Sequence, residues 1–302
     1  MFIAIETIIE RIPEWKGRNP RVNELGGGIT NRNYRVNVGK DAFVVRIPGE
    51  DSHYLGIDRE GEHACNVAAS RSGVAPEVVC FLRPENILVT RFISGPTMSA
   101  ETMGDEESIR KAVRAIKSIH SGSTFPGTFS VFRVAEEYRE VAETHNVALP
   151  DRIDWMFERM RDIERTLSVH PQDVVPCHND LLPANFIDCG DEFKIIDWEY
   201  GGMGDSYFDL GNFSVNNLLN DEEDVIVLEE YFGKSSAFKM ARLKTFKILS
   251  DLREAMWAMV QVGVSKLDVD YQEYGKKHFD RFIKNLEDPG FPKWLDQVRR
   301  GE

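Results

Sequence analysis

Only four cysteines occur in the 302 residues, Cys65, Cys80, Cys177 and Cys189, and no two of them form a Cys-x-x-Cys pair. That is too sparse for a disulfide scaffold, and reduced thiols in a cytoplasmic protein are the simplest account. Long hydrophobic runs are missing too: none approaches the ~18 residues needed to span a bilayer, so no membrane insertion is expected. The opening Met1-Phe2-Ile3-Ala4-Ile5 is interrupted by Glu6 and Glu10 and has no basic start, which makes it a poor signal peptide. Positive charge is in deficit, with 37 Lys and Arg against 50 Asp and Glu and a net charge of −13. Most of such a surface repels nucleic-acid phosphates, whereas a negative cleft attracts a small cationic metabolite. Internal repeats, low-complexity stretches, a Walker pattern and a Gly-x-Gly-x-x-Gly are all absent. What is present, at 42% hydrophobic, suffices for a sizeable core, and this length favours two lobes over one compact domain.

The most informative segment is His178-Asn179-Asp180-Leu181-Leu182-Pro183-Ala184-Asn185, followed by Ile195-Ile196-Asp197. An Asp, an Asn five positions later and an Asp ending the next apolar run follow the order used by phosphoryl-transfer sites of the protein-kinase type. Such chemistry needs in-line placement of the acceptor hydroxyl and cations bridging the β- and γ-phosphates. Val174-Val175-Pro176-Cys177 leads into the loop, and Pro183 keeps the loop from continuing as a helix. Asn185-Phe186-Ile187 and Phe193-Lys194-Ile195-Ile196 are strand-like, and Cys189-Gly190-Asp191-Glu192 between them has turn chemistry. The resulting hairpin brings its outer ends, Asn185 and Asp197, together. A lone Asp or Asn would read as a turn or cap; three at this spacing read as a site.

Residues 22–93 are mostly strand-like. Val22–Leu25, Tyr34–Val38 and Ala42–Ile47 flank a glycine-rich connection (Gly26 to Thr30 and Asn31) and a Gly39-Lys40-Asp41 turn. Glycine N–H groups approach phosphates without Cβ obstruction, so such a connection can lie over a nucleotide, with Thr30 and Asn31 as the candidate binding residues, although a Gly triplet alone is more often just a loop. Residues 57–69 read as helical, 86–93 as a buried strand, 108–120 as an amphipathic helix, and 133–170 as two helices broken at Pro150. Gly201-Gly202-Met203-Gly204-Asp205 reads as a flexible loop, and residues 235–267 as one or two long helices. His63 and His120 read as packing residues, having no His or Cys at ligand spacing.

The stretch His178–Asn185 with Ile196-Asp197-Trp198-Glu199-Tyr200 resembles the choline/ethanolamine kinase family within the aminoglycoside-phosphotransferase-like kinases. The resemblance implies an α+β, two-lobed protein-kinase-like fold, with a β-rich nucleotide-binding lobe (1–93) and a larger helical catalytic and substrate-binding lobe (94–302). It implies ATP and Mg²⁺ as cofactors, Asp180 as catalytic base, and Asn185 and Asp197 as magnesium ligands. His178 and Asp209 would support the catalytic loop, Asp209 from below. Arg46 would grip phosphate from the third strand, paired with Glu62; Glu60, two steps away on another helix face, is the alternative. Backbone groups from Arg91 to Ile93 would meet adenine at the hinge. Trp257 and Tyr274 resemble two walls of an aromatic cage for an ammonium group, with Glu199 and Asn216 also at the substrate. This chain has Glu254 where a second Trp is usual and Asn216 where a Glu is usual. The implied reaction is transfer of the γ-phosphate of ATP to an amino alcohol, choline first. Ethanolamine, thiamine and aminoglycosides are alternatives, as is a catalytically inactive kinase-fold binding protein.

Overall fold

The computed structural model describes residues 4–26, 31–49 and 52–301. Thr30 and most of the glycine-rich connection therefore lie outside the described residues. The chain begins with helix α1 (Ile5–Arg11), then strands β1 (Arg21–Leu25), β2 (Asn31–Val38) and β3 (Asp41–Pro48), helix α2 (Arg59–Arg71), and strands β4 (Val78–Leu82) and β5 (Ile87–Arg91). The strands form one antiparallel sheet in the order β1-β2-β3-β5-β4. The alternation in β3 explains its role. Phe43, Val45 and Ile47 point into a core closed by Ile8, Ile12 and Trp15, so Arg46 must point to the opposite face. That face overlooks the cleft.

The larger part is helical: α3 (Ala100–Met103), α4 (Glu106–His120), α5 (Val131–Thr144), α6 (Ile153–Leu167), α7 (Ser206–Asn216), α8 (Asp221–Phe232), α9 (Ala237–Val264), α10 (Tyr271–Leu286) and α11 (Phe291–Arg300). Between α6 and α7 run four short strands, β6 (Val174–Cys177), β7 (Phe186–Asp188), β8 (Phe193–Ile195) and β9 (Gly202–Asp205). Helix α4 starts where Asp105 caps the Ser108 N–H, and it buries Ile109, Val113, Ile116 and Ile119 on one stripe. The long segment after residue 235 is one uninterrupted helix, α9, buried over most of its length between α5, α7, α10 and α11. No helix among the described residues is long and apolar enough to cross a membrane.

One expectation is overturned. The glycine-rich run after Asp197 is not a loop: Gly202–Asp205 is strand β9, paired antiparallel with β6. Glycine is there for close approach rather than freedom. A Cβ on Gly201 would meet the Cys65 side chain at 2.9 Å, and one on Gly202 would press on Phe129 at 3.4 Å. The strand thereby fixes the end of the segment that carries Asp197.

Candidate active site

β7 and β8 pair as Phe186↔Ile195, and the Ile196 N–H donates to the Asn185 carbonyl at 3.0 Å. This hairpin brings Asn185 beside Asp197. Pro183 opens a single 3₁₀ turn ending at Asn185, whose Nδ2 donates to the Asp180 carbonyl at 2.8 Å and closes the loop. Asn179 and Asp197 both have positive φ, +67° and +69°. For non-glycine residues that conformation is uncommon and costs energy, and it aims both neighbouring loops into the cleft.

The loop is held from below by Asp209 on α7. Its Oδ2 accepts the His178 N–H at 2.8 Å and its Oδ1 the Asn179 N–H at 2.7 Å. Asn212, one turn further on, accepts the Leu181 N–H. His178 reaches the Ile196 carbonyl with Nε2 at 2.9 Å and accepts the Asp180 N–H on Nδ1, and burial lowers its pKa. A neutral imidazole with one donor and one acceptor fits both contacts. His120, read as a packing residue, takes part here: its Nε2 lies 3.0 Å from Asp209 Oδ2 and its Nδ1 2.7 Å from the Tyr231 hydroxyl. With Cys177 it closes a buried His–Cys–Asp group. The two backbone N–H bonds on Asp209 make that group a support of the loop.

Across the cleft, Arg46 donates to Glu62 on α2 and to Asp197 Oδ1 at 2.8 Å. Glu60 is exposed and turned away onto Arg83, so the open choice of partner resolves to Glu62. Arg59 links Glu62 (2.7 Å) to Glu199 (2.6 Å), and Asn31 Nδ2 also donates to Glu199. Glu199, expected at the substrate, borders the cavity but is engaged by this buried network. Burial opposes its charge, yet Arg46 and Arg59 outweigh that and lower its pKa. Burial also raises the pKa values of Asp180 and Asp197, against the pull of Arg253 on the first and of Arg46 on the second.

These groups surround a cavity of about 320 Å³ lined by Asn31, Asp180, Asn185, Asp197, Arg253, Glu254, Trp257, Tyr271 and Tyr274, among others. A neighbouring cavity of about 350 Å³ opens behind α2 and borders Glu62 and Glu199, but none of Asp180, Asn185 and Asp197 lines it. Trp257 Nε1 donates to the Tyr200 hydroxyl at 3.2 Å, and the Tyr274 hydroxyl to Glu254 Oε2 at 3.1 Å.

Two expectations need correction. Asn216 ends α7, one turn beyond Asn212, and is not among the cavity-lining residues; a helical turn carries it past the catalytic loop. Arg91 is exposed, its side chain paired with Glu77 and Asp41 and its N–H already given to the Glu77 carbonyl. The Phe92 N–H goes to the Ala42 carbonyl, and Ile93 follows with no backbone hydrogen bond among the described residues. Among the described residues, the Arg91 and Phe92 N–H groups are thus taken by the sheet, while that of Ile93 has no backbone partner.

Arg253 was missed by sequence reasoning. It is 1% exposed, and its Nη1 donates to Asp180 Oδ1 at 3.0 Å and to Glu254 Oε1 at 2.5 Å while the guanidinium covers the Tyr200 ring at 4.3 Å. The signal available was an adjacent charged pair, Arg253-Glu254, in a helical segment whose other residues are mostly apolar.

A small antiparallel sheet over a larger helical part, with the carboxylate loop between them, is the architecture of the kinase-like phosphotransferases that act on an alcohol group. The chain belongs to the choline/ethanolamine kinase family, whose pattern matches residues 22–229. It is 26% identical over 273 residues to Protein LicA of Haemophilus influenzae, covering 87% of this chain and 79% of that one. Ethanolamine kinase 2 of Mus musculus is 25% identical over 312 residues, with 93% and 80% covered. A solved choline/ethanolamine kinase family protein from Mesorhizobium loti superposes with a TM-score of 0.87 at 31% identity, over 98% of each chain.

Proposed function

We propose that this protein transfers the γ-phosphate of ATP, with magnesium, to the hydroxyl of a small cationic amino alcohol of the choline and ethanolamine type. The observation that carries the reading is the convergence of Asp180, Asn185 and Asp197 on one cavity, with Arg46 and Glu62 on one side and Trp257, Tyr271 and Tyr274 on the other. In this reading residues up to 93 serve the nucleotide and residues 94–302 the acceptor, in the cytoplasm where ATP is at hand.

Asn185 and Asp197 offer oxygen donors only, which suits a hard cation such as Mg²⁺. Asp197 Oδ2 carries no protein hydrogen bond among the described residues, so one oxygen remains for a ligand. Bound there, the ion would neutralise charge developing on the transferring phosphoryl group. The protein's own part is positioning. Arg46, kept charged by Asp197, Glu62 and Glu199 despite burial, presents its guanidinium to phosphate oxygens. Asp180 spends Oδ1 on Arg253 and keeps Oδ2 to orient the acceptor hydroxyl and take its proton.

The test is an ADP-release assay with choline, ethanolamine, thiamine and kanamycin in turn. Acceptor-dependent ADP formation with an amino alcohol supports the reading. ADP release with none of the four, despite ATP binding, would favour a kinase-fold binding protein.

Replacing Trp257 by Leu checks the acceptor wall. Contacts between a cation and an aromatic face are worth ~0.5–2 kcal/mol, so the acceptor KM should rise roughly 2- to 30-fold, with the ATP KM little changed. If Trp257 only packs, the melting temperature falls and the acceptor KM stays where it was.

A further inference from the structure

We infer that the acceptor's amine carries at least one N–H bond and donates it to Glu254, so that the cavity selects a protonated amine over a fully methylated quaternary ammonium. This rests on the amino-alcohol reading and narrows it.

Glu254 stands on α9 one turn before Trp257, on the same helix face, and both line the cavity. It is 3% exposed. A carboxylate that deep is stable only when it is paired and hydrogen-bonded. Its Oε1 accepts from Arg253 and its Oε2 from the Tyr274 hydroxyl. Each carboxylate oxygen has two acceptor positions, so capacity remains on both.

The charges point the same way. One guanidinium, that of Arg253, faces two carboxylates, Asp180 and Glu254. A monocation completes the set. Because a single nitrogen, Arg253 Nη1, contacts both carboxylates, a hydroxyl on Asp180 and an ammonium on Glu254 are held only a short linker apart.

The aromatic groups are partly spoken for. One face of Tyr200 is covered by the Arg253 guanidinium at 4.3 Å, and Tyr274 packs against the His278 ring at 4.6 Å. Trp257 remains, in edge-on contact with Tyr271 and Tyr274. An N–H donor gains a charge-assisted hydrogen bond here. A trimethylammonium group gains none, and its methyl groups hold the charge away from the carboxylate.

The experiment measures kcat/KM with Mg·ATP for ethanolamine, N-methylethanolamine, N,N-dimethylethanolamine and choline. The first three keep an N–H bond when protonated. The expected profile is a step rather than a slope: the first three within a few-fold of one another and choline lower by about tenfold or more, the value of one charge-assisted hydrogen bond. In Glu254→Gln, which keeps the shape and removes the charge, the step should shrink to within about threefold, in protein that still binds Mg·ATP. Choline equal to or better than dimethylethanolamine in the parent enzyme overturns the inference and leaves the amino-alcohol reading standing. Turnover of none of the four, with Mg·ATP bound, overturns the amino-alcohol reading itself.

Discussion

Asp180→Asn should lower kcat by ~10²–10⁴-fold, the usual cost of losing a general base, while leaving ATP affinity near the parent value. The side chain lies between Arg253 and the cavity. An amide at 180 turns its oxygen to Arg253 Nη1, which donates to Asp180 Oδ1 in the parent. The amide nitrogen then occupies the place of Oδ2 and offers hydrogens where a proton must be accepted. Glu254 still partners Arg253, so no buried cation is left alone and the fold should persist. Arg46 and Asp197, which the proposed reading assigns to the nucleotide and its metal, are untouched. Single-turnover rates and ATP titration on one preparation decide the matter. A kcat within a few-fold of the parent removes Asp180 from the proton-accepting role.

How much of this was legible beforehand depended on whether the controlling interaction was local. Asp180, Asn185 and Asp197 could be placed because a hairpin with a four-residue turn converts sequence spacing into proximity, and the hairpin formed as read. The Glu60 or Glu62 choice needed the helix phase. Asp58 caps the helix through the Glu60 N–H, which fixes that phase and turns Glu62 inward. Other features were set by tertiary context. The run Gly201 to Asp205 has the composition of a flexible loop, and only the approach of Cys65, Phe129 and β6 makes it a strand.

Helix α9 hid the most. Three of its buried ionic residues have a partner far away in sequence: Arg242 with Asp205, Asp251 with Arg281 and His278, Arg253 with Asp180. Nothing in the local pattern names those partners. In isolation an Arg-Glu pair on a helix reads as a solvated face; here it links the Tyr274 hydroxyl to Asp180. Asn216 failed for the reverse reason. A position equivalent in sequence lies one turn too far along α7 to reach the cavity.

Asp197→Ala should weaken Mg·ATP binding and turnover together, because in the proposed reading it removes a metal ligand rather than a proton acceptor. Loss of a group that holds a charge-stabilising cation removes several kcal/mol from the transition state, or about 10²–10⁴-fold in rate. The substitution has a second consequence that must be separated from the first. Asp197 has φ +69°, and the left-handed region costs a non-glycine residue roughly 1–2 kcal/mol. Asn tolerates that region better than Ala, so Asp197→Asn is the matched control. Both variants lose the anionic partner of Arg46, which keeps Glu62. The expected result is a shift of the magnesium dependence of turnover to higher concentration in both, with the melting temperature lowered mainly in the Ala variant. Asn185, on its own 3₁₀ turn, remains available to an ion, so raised magnesium should restore part of the rate. If the magnesium titrations of parent and Asp197→Asn superimpose, Asp197 is not a metal ligand, and its contact with Arg46 has to be explained as structural.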